Sequence, residues 1–291
     1  MIPSTPKARN RKPEAKNRKP KLPPVHLCQP DGAKSCAACC GIYNFKANDR
    51  DSVRRRLERN TRVLAGLAED DASSRLARHA EAFRPRDNGP AKRFETVFNC
   101  EYAGFLDAER RRPGCLLHPA CNGQRDLRDS SFYGKELCAG HFCLSYHYLA
   151  EREQRLVVEA LDDWYLYGLV ITDIDLVKGY FRALADKVGE AIRPERARAK
   201  GLREEIRRFF QWKESWPFRS SDPGRFGKYR FDGEDYGEAD IRYFRRHRPP
   251  SPYHDLFKAL ESDFRSGEDA DRAEAMIRKR IEDFARLYEK D

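Results

Sequence analysis

The sequence predicts a mainly α-helical protein with a small, irregular, cysteine-rich lobe that has room only for short strands. Three observations point there. Apolar residues recur at spacings of three and four along much of the chain, above all between residues 148 and 291. Glycine and proline interrupt residues 94–143 repeatedly, so no long periodic segment fits there. All nine cysteines lie between Cys28 and Cys143, and residues 144–291 contain none. The chain therefore divides into a basic tail over 1–25, a cysteine-cluster region over 26–147, and a helical C-terminal region over 148–291 that packs on it.

Each element has its own signal. Residues 1–25 mix Pro, Lys, Arg and Asn with almost nothing apolar, and such a segment cannot bury enough surface to offset the entropy of ordering, so disorder is expected. From Asn48 to Phe83 the pattern predicts two amphipathic helices, one with Val53, Leu57, Val63, Leu64 and Leu67, the other with Leu76, Ala80 and Phe83. Gly104, Pro113, Gly114, Pro119, Gly123, Gly134 and Gly140 then make residues 94–143 loop and short strand. A long helix is expected from Cys143 to about Tyr167, carrying Leu149, Leu156, Val157, Ala160, Leu161 and Trp164. Thr172 with Asp175 resembles a capping box opening a second helix, whose stripe is Ile174, Val177, Phe181, Leu184 and Val188 and which ends before Pro194. A third helix runs from Pro194 to about Trp212. Residues 216–252 read as an extended surface segment with short strands around Phe226–Phe231. Ser266 with Asp269 starts a last helix with Ala273, Met276, Ile277, Ile281, Phe284 and Leu287 on one face.

Composition narrows the function classes. Charged residues make up 36% of the chain and hydrophobic ones 40%, and no stretch reaches the roughly 18 apolar residues that a membrane span requires. The greasiest run, Leu166–Leu176, is broken by Asp173 and Asp175, and the N-terminus has charge and proline where a signal peptide would be apolar. A cytoplasmic protein with no membrane partner is expected. The formal charge of +10 sits mostly in the tail, where Lys7, Arg9, Arg11, Lys12, Lys16, Arg18, Lys19 and Lys21 face one acid, Glu14. Any nucleic-acid contact would therefore be weak and would run through residues 1–25.

The cysteines carry the chemistry. In a reducing cytosol clustered thiols point to metal rather than disulfides, and the count of nine is odd. Coordination is also one device that can hold so long an irregular stretch without an apolar interior, so the lobe is expected to be metal-stabilised. The sharpest motif is Cys36-Ala37-Ala38-Cys39-Cys40-Gly41. A C-x2-C spacing folds the chain into a knuckle in which both sulfurs reach one ion and following amides point at them, and Gly41 permits the tight backbone. Neighbouring side chains diverge, so one of Cys39 and Cys40 is assigned to a second metal or to another iron of a cluster. Downstream, Cys115 follows a flexible turn, Cys121 lies six residues on, and Cys138 and Cys143 flank Ala139-Gly140-His141-Phe142. Cys143 and His147 are four apart at a helix start, a spacing that would aim both at one ion. The competing reading of His118, His141 and His147 is turn or surface histidine.

This arrangement resembles the cysteine-cluster proteins of the zinc- or iron-chelating CxxCxxCC (YkgJ-like) family. The likeness runs from Cys28 to His147 through Ser35-Cys36-Ala37-Ala38-Cys39-Cys40-Gly41, Gly104-Phe105-Leu106-Asp107, Gly114-Cys115-Leu116-Leu117-His118-Pro119, then Cys138 and Cys143. It implies bound zinc or an iron–sulfur centre and supplies no reaction. The family pattern wants a cysteine three before Cys36, where this chain has Ala33, with Cys28 eight residues upstream. The leading ligands are Cys36, Cys39, Cys40, Cys115, Cys138 and Cys143, with Cys100 and Cys121 next and Cys28 last.

Three functions fit. The first is a cysteine-cluster metalloprotein binding zinc or an iron–sulfur cluster, with a structural, electron-transfer or sensing role. The second is an iron–sulfur-dependent redox or group-transfer enzyme, for which the motif is also similar to one in flagellin lysine methylases. The third is a zinc-stabilised nucleic-acid or protein adaptor using the basic tail. No phosphate loop, dinucleotide fingerprint or H-E-x-x-H motif occurs. Asp162 with Asp163, and Asp173 with Asp175, read as solvated or capping carboxylates, while Trp164, Tyr165, Tyr167, Phe209, Phe210 and Trp212 read as core.

Overall fold

A computed structural model describes residues 25–65, 91–95, 97–221, 231–232, 235–236 and 251–290. The tail before Val25, the helix expected around Leu76–Phe83, and most of the extended segment, including the strand positions 226–230, lie outside the described residues.

The chain is mainly helical, as its periodicity predicts. A 3-10 turn, Ala38–Cys40, is followed by α1 (Arg50–Ala65), which Asp49 caps by accepting from the Ser52 amide at 3.0 Å. Two three-residue strands, β1 (Ala103–Phe105) and β2 (Pro113–Cys115), pair antiparallel with Gly104 opposite Gly114. Helix α1 lies on β1, where Asn60 donates to the Ala103 carbonyl (2.8 Å) and Thr61 Oγ1 accepts from the Phe105 amide (2.8 Å). After α2 (Gly134–Gly140) come α3 (Ser145–Tyr148), α4 (Glu151–Ala160), α5 (Trp164–Ile171) and α6 (Ile174–Val188). Then follow α7 (Pro194–Ala197), α8 (Lys200–Phe210), α9 (Trp212–Ser215), α10 (His254–Ala259) and α11 (Gly267–Tyr288). A two-residue strand pair joins Phe231–Asp232 to Asp235–Tyr236.

Two expected helices are interrupted. The single helix from Cys143 to Tyr167 is three helices, because Leu149 and Ala150 turn extended and Leu161 does so again. Polar side chains then restart the backbone: Glu153 accepts from the Ala150 amide (2.7 Å), and Asp163 caps α5 through the Leu166 amide (2.8 Å). The helix expected from Pro194 to Trp212 is divided among α7, α8 and α9. The cap of α6 is Asp173, accepting from Leu176 (3.1 Å), whereas Thr172 ends α5 with its hydroxyl donating to Gly168 (2.7 Å). Ser266 caps α11 through the Asp269 amide at 3.1 Å, as its spacing predicts.

The largest apolar core joins α4, α5, α6, α8, α10 and α11, with Tyr180 stacked on Phe209 at 3.8 Å. Its aromatic members bear out the core reading of Phe209, Phe210 and Trp212. The cysteine lobe has apolar clusters of its own. One gathers Ile42, Tyr43, Val53, Leu57 and Phe105 with Trp164 and Tyr165 from α5. Another gathers Leu64, Tyr102, Leu116 and Leu117. The expectation of a lobe without an interior therefore needs correcting, since irregular backbone still seals over a few large side chains. Leu27 and Tyr146, from the lobe's ends, belong to the large core. Among the described residues no helix is long and apolar enough to cross a membrane.

Candidate metal centre

The first cysteines are positioned by a closed loop. The Cys28 carbonyl accepts from the Cys36 amide (2.9 Å), and inside the loop Asp31 accepts from the Ala33 and Lys34 amides (2.8 and 2.9 Å). Lys34 is buried and its ammonium pairs with the same Asp31 at 2.5 Å. Ser35 anchors the motif to β2 by donating to the Pro113 carbonyl. The chain then winds through the 3-10 turn, with Cys40 N donating to Ala37 O and Gly41 N to Ala38 O, and leaves it at Gly41 with φ of 75°. That left-handed conformation lets the backbone pass directly over Phe98 and Asn99. Cys100 is aligned there by its own amide, which donates to the Cys40 carbonyl at 2.9 Å.

Two groups of thiols result. Cys28, Cys36, Cys39 and Cys143 line one small cavity together with Leu27, Ala38, Ile171 and Thr172. Within it, a negative charge on Cys28, Cys39 or Cys143 would oppose ionisation of Cys36. On the other side of the turn, Cys40 senses Cys100 and Cys115 in the same way, Cys100 senses Cys115 and Cys138, and Cys115 senses Cys138 and Cys121. The groups meet at the sequence neighbours Cys39 and Cys40, whose thiols influence each other's ionisation. That mutual influence holds the Cys39 thiol below its usual pKa and, with burial, pushes Cys40 up. All nine cysteines are free thiols.

Backbone amides face several of these sulfurs. The amide of Ala38 favours a thiolate at Cys36, that of Tyr102 at Cys100, that of Leu117 at Cys115 and that of Ser145 at Cys143, each lowering the pKa that burial raises. In each case the donor is two residues ahead, the arrangement a thiolate knuckle requires. In the second group the Ser131 hydroxyl also stands 3.6 Å from Cys138 Sγ. Burial dominates the titration. Desolvation raises Cys36, Cys100 and Cys143, pushes Cys28 up to about 12 and lifts Cys115 to about 11. Neutral thiols are poor ligands, and a cation is the agent that would ionise several of them together.

The sequence-predicted residues are distributed unevenly. Cys36, Cys39 and Cys143 fall in the first group and Cys40, Cys100, Cys115 and Cys138 in the second. Cys121 sits at the margin, exposed in a turn and registering only on Cys115. Cys28, ranked last by spacing, is brought into the first group. His118 spends Nδ1 on the Ala120 amide (3.2 Å) as a turn cap. His147 is exposed and does not line the cavity that holds Cys143. Tyr146 was not visible as a site residue in the sequence, yet its hydroxyl lies 3.6 Å from Cys28 Sγ.

Among the described residues no three or more His, Cys, Asp or Glu side chains are placed so that they could hold a metal ion. The donor type is nonetheless matched to a thiophilic metal: nine free thiols, four of which line one cavity. Searches against protein-family models, curated proteins and solved structures return no match for this chain.

Proposed function

We propose that this chain is a cysteine-cluster metalloprotein whose two thiol groups, Cys28/Cys36/Cys39/Cys143 and Cys40/Cys100/Cys115/Cys138, each hold metal, as zinc or as an iron–sulfur centre. The observation that supports this reading is the fan of sulfurs about the Cys36–Gly41 turn, with Cys39 and Cys40 on either side of the division. Zinc bound by four thiolates would brace the lobe, and an iron–sulfur centre would add one-electron chemistry. In either case Cys36, Cys39 and Cys143 tie the lobe to the start of the helical region, because Cys143 immediately precedes α3 and packs against the large core. The adaptor reading rests on residues 1–25, almost all of which lie outside the described residues, and the enzyme reading needs a substrate pocket; no observation favours either.

Anaerobic purification followed by metal and acid-labile sulfide analysis and a visible spectrum tests the proposal. A colourless protein with about two zinc ions per chain, or a brown one with iron and sulfide, is expected. Cys39→Ser and Cys40→Ser should each deplete one group and spare the other. A metal-free preparation with a dispersed, native-like spectrum would overturn the reading.

A further inference from the structure

Within the first group Cys28 has a side-chain hydroxyl at its sulfur, as Cys138 has in the second, but its donor comes from far along the chain. At Cys36, Cys100, Cys115 and Cys143 the amide two residues ahead is the local group that favours a thiolate. The donor facing the Cys28 sulfur is instead a side chain far along the chain, the hydroxyl of Tyr146 at 3.6 Å. The same oxygen accepts from the Cys28 amide at 3.2 Å, so both polar ends of one residue converge on one phenol. Tyr146 is only 8% exposed, and Phe142 packs edge-on against its ring at 5.0 Å, which leaves the hydroxyl little freedom to turn away.

The phenolic proton has a second acceptor in reach, His26 Nδ1 at 3.2 Å, which already accepts from the Gln29 amide. A sulfur that gains full negative charge on binding metal becomes the better acceptor of the two, and the hydroxyl then supplies the charge-assisted bond that an amide supplies elsewhere. Tyr167 fixes the preceding residue separately, donating to the Leu27 carbonyl at 2.7 Å without touching sulfur.

Building on the metal reading above, we infer that Tyr146 is a positioning residue for the first thiol group. Its hydroxyl replaces the missing knuckle amide and recruits Cys28, displaced from the motif, as the fourth ligand.

Cadmium-loaded protein tests this by cadmium NMR and by the rate at which a chelator strips each ion. Wild type should show two thiolate-type resonances. Tyr146→Phe should shift one of them and speed release of that ion by about ten- to a hundredfold, leaving the other unmoved. Tyr167→Phe, which removes a buried hydroxyl of the same region but no sulfur contact, should leave both resonances in place. If Tyr146→Phe leaves both signals and both rates unchanged, or moves both equally, the inference falls while the metal reading stands. If wild type takes up no cadmium into thiolate sites, both fall together.

Discussion

Replacing Gly41 with alanine probes the turn on which both thiol groups depend. Gly41 has φ of 75°, and an L-residue there costs about 1–2 kcal/mol. The added Cβ would stand 2.3 Å from the Phe98 carbonyl oxygen and 3.0 Å from Asn99 Cα, whereas ordinary contacts are near 3.5 Å, so the opposing backbone must retreat by about 1 Å. That retreat strains two hydrogen bonds crossing the same gap, from Asn99 Nδ2 to the Gly41 carbonyl (2.6 Å) and from the Cys100 amide to the Cys40 carbonyl (2.9 Å). At about 1 kcal/mol each, the total comes to about 3–4 kcal/mol, well above an ordinary surface change. Urea denaturation measures the loss and metal analysis locates it, with the Cys40/Cys100 group more depleted because Cys100 is what moves. Gly123 provides an internal comparison: its φ is 56°, but nothing lies within 4 Å of a Cβ there, so Gly123→Ala should show only the conformational cost. Equal losses for the two variants, or Gly41→Ala within about 1 kcal/mol of wild type with metal content intact, would refute the steric argument.

Two further outcomes follow from buried and capping charges. Lys213 and Asp173 form a buried ion pair at 2.6 Å, and Asp173 also caps α6, so Lys213→Met should cost about 3–5 kcal/mol by leaving that carboxylate without its cation. Adding Asp173→Asn should recover part of it in a denaturation-based double-mutant cycle. The bonds that Asp49 accepts from Ser52 hold its carboxyl below the usual carboxylate pKa. A depressed folded-state pKa stabilises above the unfolded value and is lost as pH falls through the folded one, so Asp49→Ala should cost about 1 kcal/mol at neutral pH. Thermal melts of the two proteins should then converge as the pH is lowered below about 4.

What could be read from the sequence divides along physical lines. The last helix was legible to its cap because Ser266, Asp269 and a long apolar stripe all agree. The break at Leu149–Ala150 was not, because alanine and leucine favour helix and the interruption is set by tertiary fit, with Tyr146 buried against Leu27 and Cys28. In the cysteine region, the expectation that Cys39 and Cys40 face different ways rests on side-chain geometry, and only Cys39 lines the cavity with Cys36. The placement of Cys28 in that cavity was hidden, since its amide is held by a partner 118 residues away. Cys100 has no local motif, and its place is fixed by a backbone bond to Cys40 that no spacing reveals.

The insertion of Trp164 and Tyr165 into the lobe's apolar cluster bears on how the molecule matures. During synthesis Cys36 and Cys40 leave the ribosome long before the aromatic pair that shares their cluster, and before Cys143 can join the cavity of Cys28, Cys36 and Cys39. The cavity that holds Cys28, Cys36, Cys39 and Cys143 can close only after Ile171 and Thr172 have emerged. Until then those thiols lack the burial that raises their pKa in the folded chain, so a partly made chain is the form most open to oxidation.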